Sequence, residues 1–223
     1  MESKEKIIKL ILIILLICIV IFVLNVMRKA IIIRSISKEY KENYASTTNF
    51  YERIKDEYFV TEIWRKDNRA IIKKTYENKD KIEKDIEITY IDEDYKYVFK
   101  DDKVTKLNKE EADLPVLTHA IFDVPNFSQA LFASLMYDVS SEKIYGEDCY
   151  YIDCDTTSLL YNMINFRKDN ITDQSFVNKD TKLVAKEISN TGVRYYKYEL
   201  NNVTDENVNM SDIEDLELVD ETK

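Results

Sequence analysis

Cys149, Cys154 and His119 are the residues whose types best suit nucleophilic chemistry. A thiol hydrolase needs a base within hydrogen-bond reach of its nucleophile. His119 is the single histidine in 223 residues, it lies near Pro115, and no spacing ties it to Cys149. That count leaves no multi-histidine metal centre and no helical zinc-protease motif. Cys149 and Cys154 stand an odd number of positions apart in a stretch that reads as a strand. Successive side chains alternate faces there, so the two thiols point to opposite sides and miss disulfide geometry. Packed or free thiols are expected, a bridge requiring local rearrangement.

Glycine excludes another class. Gly146 and Gly192 are the only 2 glycines, whereas loops that bring backbone N–H groups against a pyrophosphate need several. Acidic runs at Asp92-Glu93-Asp94, Asp101-Asp102 and Asp212–Asp215 lack the alternating ligands and glycine of a calcium loop. Solvated turns account for them better. Carboxylate pairs for glycoside chemistry are set in space rather than along the chain, and nothing here favours a particular pair. No enzyme activity, metal or cofactor is expected.

Apolar side chains offer more. Trp64, Tyr90, Tyr97, Phe99, Tyr196 and Tyr198 are candidates to line a hydrophobic ligand cavity, with Phe127 and Leu131 contributed by a helix. The same residues would serve as the ordinary core of a curved sheet. Both readings stay open.

The elements that must position these residues begin with a membrane segment. Ile7–Met27 carries only Lys9 and Asn25 as strongly polar interruptions; as a helix it spans roughly 31 Å, against a hydrocarbon core of about 30 Å. A cleaved signal peptide needs small residues after the apolar run, and Leu24-Asn25-Val26-Met27-Arg28 has none. A lipid-attachment motif at Cys18 fails because Ile17 precedes it and the cysteine lies in mid-run. The segment reads as an uncleaved signal anchor. Lys4, Lys6 and Lys9 precede it and Arg28, Lys29 and Arg34 follow it, so the positive-inside comparison is near a tie. The acidic mass after the helix breaks that tie toward a cytoplasmic stub at 1–6, a transmembrane helix at 7–27 and an extracytoplasmic remainder. Residues 38–223 carry 26 basic and 40 acidic side chains, a field that repels nucleic-acid backbones and an anionic bilayer.

Beyond the membrane, Ile33, Ile36, Tyr40 and Tyr44 recur at helical steps, giving a stalk over 28–48 that ends at Ser46-Thr47-Thr48. From Asn49 the period becomes two: Ile86, Ile88 and Tyr90; Tyr95, Tyr97 and Phe99; Tyr196, Tyr198 and Leu200. Short turn signals such as Asp67-Asn68, Asp92-Glu93-Asp94 and Thr191-Gly192 separate these runs, which fits antiparallel meanders. Two helical stripes interrupt them, Phe127–Met136 after Pro125-Asn126, and Ser158–Phe166. Residues 216–223 form an acidic tail.

Five loose motifs in a fixed order give the chain a resemblance. They are Asn49-Phe50-Tyr51, Trp64-Arg65-Lys66-Asp67, Gly146-Glu147-Asp148-Cys149-Tyr150-Tyr151-Ile152, Val177-Asn178-Lys179-Asp180-Thr181-Lys182-Leu183 and Tyr196-Lys197-Tyr198-Glu199-Leu200-Asn201-Asn202-Val203-Thr204-Asp205-Glu206. Together they resemble the outer-membrane lipoprotein-sorting (LolA-like) superfamily, in particular its membrane-tethered Gram-positive relatives. The resemblance implies an α+β fold over 49–215, a curved antiparallel half-barrel with helices on its concave side. It also implies space for an acyl chain between sheet and helices.

The expected function is therefore a single-pass, non-enzymatic cell-envelope protein that binds a lipid, acyl chain or lipidated partner. The rival expectation is a structural or interaction subunit of an envelope assembly that uses its sheet edges. Protease added to intact cells should degrade the domain and leave a short anchored stub; protection of the whole chain until lysis would reverse the orientation.

Overall fold

The computed structural model describes residues 2–77, 85–100, 103–117, 122–154, 174–209, 217–220 and 222. One helix, α1 (Glu2–Glu39), runs 38 residues from the apolar segment into the domain and closes in a π-helical turn at Tyr40–Tyr44. Mean hydropathy reaches 3.6 in its most apolar window, none of which is covered by protein. It is long and apolar enough to cross a membrane.

The polar break after Tyr44 opens the sheet. Strands β1 (Asn49–Lys55), β2 (Phe59–Lys66), β3 (Arg69–Tyr76), β4 (Asp85–Ile91), β5 (Tyr95–Lys100) and β6 (Lys103–Asn108) form an antiparallel meander. Helix α2 (Phe127–Ala133) leads into a second meander, β7 (Tyr137–Ile144), β8 (Glu147–Cys154), β9 (Gln174–Asn178), β10 (Val184–Ser189) and β11 (Gly192–Leu200). Pairing of β1 with β11 joins the two halves into one curved sheet of 12 strands, with β12 (Glu217–Asp220) added in parallel to β6. Turn chemistry follows the residues. Asp92 Oδ1 accepts from the N–H groups of Asp94 and Tyr95, so this acidic run is a turn-forming one. Asn126 caps α2 by accepting from the Gln129 N–H at 3.0 Å. The family-like motifs close the meeting of the halves: Asn49 exchanges side-chain bonds with Val203, and Asp205 bridges Lys66 and Arg69.

Both helices lie on one face of the sheet. Ala30, Ile33 and Ile36 of α1 and Ala130 and Ala133 of α2 pack with Val139, Ile152 and Val177. Farther along, Tyr40 and Tyr44 cover Phe50, Leu117 and Leu183. The alanines let the two helices approach closely where they share this layer.

The free edge of the sheet at β7 is covered by the anchor itself. Arg28 Nη2 donates to the Val139 carbonyl at 2.7 Å, and Lys29 Nζ donates to the Tyr137 carbonyl at 2.9 Å. Residues 137 and 139 share a parity, so these cations take successive outward carbonyls that an adjoining strand would otherwise claim.

His119, the helix expected at Ser158–Phe166, and the acidic runs Asp101-Asp102 and Asp212–Asp215 lie outside the described residues. Cys149 is a free, fully buried thiol. Burial, then the carboxylate of Glu147, pushes its pKa above the ordinary thiol value. Native protein should therefore resist maleimide at Cys149 until denatured, and mass spectrometry without reduction should find no Cys149–Cys154 link.

Candidate functional site

Register separates the aromatic residues that the sequence groups together. Glu52 stands opposite Tyr198 on β11 and Ile63 on β2, so these share the helix-bearing face with Phe50, Tyr196 and Leu200. Trp64 stands opposite Tyr51 and Ile71, which puts it on the other face; Ile71 in turn stands opposite Tyr90, and Tyr90 opposite Tyr97. Tyr90, Phe99 and Val104 form a separate cluster there with Tyr97, Ile71 and Ile88. Strand parity thus divides these residues between the two faces of the sheet. Phe127 and Leu131 pack into the cluster beneath α1, Tyr198 into the one beneath Tyr40 and Tyr44, and Trp64 against Tyr51 at 5.2 Å between ring centroids.

Two features of the helix-bearing face stand out. The first is a cavity of about 460 Å³ against α2, lined by Phe122, Val124, Phe132, Ala133, Met136 and Tyr137, with Asp123, Ser128 and Gln129 at its polar side. Phe132 is an exposed aromatic on this short helix. The Phe122 and Tyr137 rings meet edge to face at 5.1 Å, bracing one wall. Tyr137 also accepts the Lys29 hydrogen bond, so the cavity adjoins the point where α1 leaves its apolar segment.

The second is Glu52, fully buried beneath the end of α1. Desolvation pushes its carboxyl up to about 7. Its charge in turn raises the hydroxyls of Tyr198 and Tyr40, each already raised by burial. The Tyr40 hydroxyl donates to the Leu117 carbonyl and Arg65 donates to the Pro115 carbonyl at 2.7 Å, so the chain at 115–117 is tied across this acid. Sequence reasoning passed over Glu52. Its signal was available: an acid at the alternate position between Phe50 and Ile54, on the apolar side of a strand. Neither feature brings together a nucleophile and base, and the described residues contain no cluster suited to a metal ion.

No family model matches the chain, and no curated protein matches it. Among solved structures it is similar to LprF from Mycobacterium bovis, with 7% identity, 77% of this chain and 94% of that chain covered, and a TM-score of 0.41. It is also similar to MucB, with 14% identity, 77% and 59% coverage and a TM-score of 0.39. A Pseudomonas aeruginosa MucA/MucB complex gives 12% identity, 77% and 60% coverage and a TM-score of 0.35. The chain thus spans about three-fifths of the MucB chains.

Glu52 ties stability to pH. Its folded-state pKa lies above the ordinary carboxyl value of 4.5, so the folded chain holds the proton more tightly than the unfolded chain. Its contribution is fully present below about pH 4.5 and is lost as pH rises through about 7, a change of roughly 3 kcal/mol. Denaturant unfolding should show stability falling over that window in the native sequence, and Glu52→Gln should flatten the fall. Parallel pH profiles for the two proteins would remove Glu52 as its source.

Proposed function

We propose that this protein is a membrane-anchored, extracytoplasmic binding module that takes the acyl chain of a lipid or lipidated partner into the cavity beside α2. The observation that carries the reading is position. An apolar cavity of about 460 Å³ opens next to the residue that Lys29 holds, 2 positions beyond the last residue of the apolar run. Cavities of this size and lining are typical small-molecule sites. A chain from the adjoining bilayer reaches it without leaving the neighbourhood of the anchor. The LolA-like resemblance agrees with an apolar ligand on the helix-bearing face. Because α1 is continuous from the membrane into the domain, the module acts where it is anchored and does not shuttle between membranes.

Full-length protein in detergent should photo-crosslink a diazirine fatty acid at or near Phe132 and Met136. Gln129→Trp places bulk in the mouth of the cavity from an exposed position and should cut labelling several-fold with little change in stability. Ala133→Trp should do the same, at a further cost of about 1–3 kcal/mol because Ala133 also packs against α1. Labelling that ignores both substitutions would exclude the acyl site and leave the assembly-subunit reading in front.

A further inference from the structure

Arg53 on β1 and Lys197 on β11 stand directly opposite each other on the face without α1 and α2. Like charges in that relation repel and weaken the pairing. Lys55, two positions along the same strand, stands opposite Tyr195. These four residues line a cavity of about 530 Å³ together with Tyr145 from the β7–β8 turn and Glu147 at the start of β8. Tyr145 brings its ring to 5.9 Å from that of Tyr195. It does so from a left-handed backbone, φ 52, followed by Gly146 at φ 89. Two-residue turns of this kind favour Asn, Asp or Gly at both positions, and a bulky aromatic there is strained. A repelling pair and a strained turn therefore meet at one cavity.

The neighbouring carboxylates compensate only in part. Glu77 lies 4.0 Å from Lys55 and Glu199 lies 2.9 Å from Lys197, both in solvent-exposed pairs that contribute little. Glu147 is held by Asn178 at 2.7 Å, and Glu62, opposite Arg53 on β2, accepts from the Tyr51 hydroxyl at 2.9 Å. The acidic surface elsewhere is screened beyond about 8 Å at physiological ionic strength, so these carboxylates are the ones a ligand must displace or outcompete.

We propose that this cavity binds the phosphate monoester of a small sugar or polyol, with the phosphate among Arg53, Lys55 and Lys197 and the carbon skeleton against Tyr145 and Tyr195. A phosphate monoester carries about −1.5 to −2 charge at pH 7, which suits three cations lining one cavity better than a single carboxylate does. The guanidinium fork of Arg53 matches two phosphate oxygens at once. The volume accommodates the phosphate and one ring. The group is the same whether the ester is free or is the headgroup of a lipid. The site lies on the opposite face from the acyl cavity, so each reading is tested without the other.

The test uses the full chain in nanodiscs of phosphatidylcholine, titrated with glucose 6-phosphate. Trp64, the only tryptophan, sits diagonally across β1 and β2 from Arg53 and reports binding by its emission. A saturable change is expected, weakened at least tenfold by Arg53→Gln and by Lys197→Glu and unaltered by Lys103→Gln on β6. Lys197→Glu exchanges the repulsion with Arg53 for attraction but also the ion pair with Glu199 for repulsion, so the thermal midpoint should stay near the native value while affinity falls. Vesicles containing phosphatidic acid, added in place of the sugar phosphate, separate the sources. An Arg53-dependent response to vesicles alone assigns the headgroup, and one to the sugar phosphate alone assigns a soluble ester. Emission changes reproduced by sodium chloride at equal ionic strength, or equal in native, Arg53→Gln and Lys197→Glu proteins, would overturn the site.

Discussion

The unbroken backbone of α1 is the constraint from which the rest follows. A chain crossing hydrocarbon must satisfy its N–H and C=O groups internally, which a helix does. Here the ladder does not stop at the membrane boundary. It continues through Ala30, Ile33 and Ile36, which are buried in the domain, and into the turn that buries Tyr44. Anchor and core are one element. The sheet therefore cannot swing on a linker, and the face it turns to α1 becomes the buried face by necessity. Arg28 and Lys29 then do two jobs at one place: they end the apolar run, and they occupy edge carbonyls of β7.

That arrangement divides the sheet into two chemically different faces. Under the helices, apolar side chains fill the layer and the acid Glu52 sits among tyrosines with its carboxyl raised to about 7. The end of α1 is fastened above it through Tyr40 to Leu117 and through Tyr44 to Thr181. The acid and the packing of the anchor therefore share one environment, and deprotonation there charges the layer that α1 must cover. On the opposite face Tyr90, Phe99 and Val104 make their own apolar cluster at one end, while cations gather around Tyr195 near the centre. The difference between the two faces is a consequence of strand parity rather than of composition.

Much of the architecture was legible in the residues because it rests on local periodicity. The 21-position run of Ile7–Met27, broken only by Lys9 and Asn25, the helical recurrence of Ile33, Ile36, Tyr40 and Tyr44, the alternation in β4, β5 and β11, and the Pro125-Asn126 start of α2 each depend on near neighbours in sequence. The opposite parity of Cys149 and Cys154 is a local fact of the same kind, and Cys149 is free in the structure. The candidate site was legible only in part. Alternation says that Tyr97 and Phe99 share a side of their strand, and that Tyr196 and Tyr198 share a side of theirs; it does not say whether those two sides are the same side of the sheet. That depends on the closure of β1 against β11, a pairing between residues about 145 positions apart, and on the single face that α1 then covers. The residue chemistry of each strand is written locally, whereas the joining of Glu52 to Tyr198 and of Arg53 to Lys197 exists only once the two meanders meet, because a one-residue change in that register would pair each of those side chains across opposite faces.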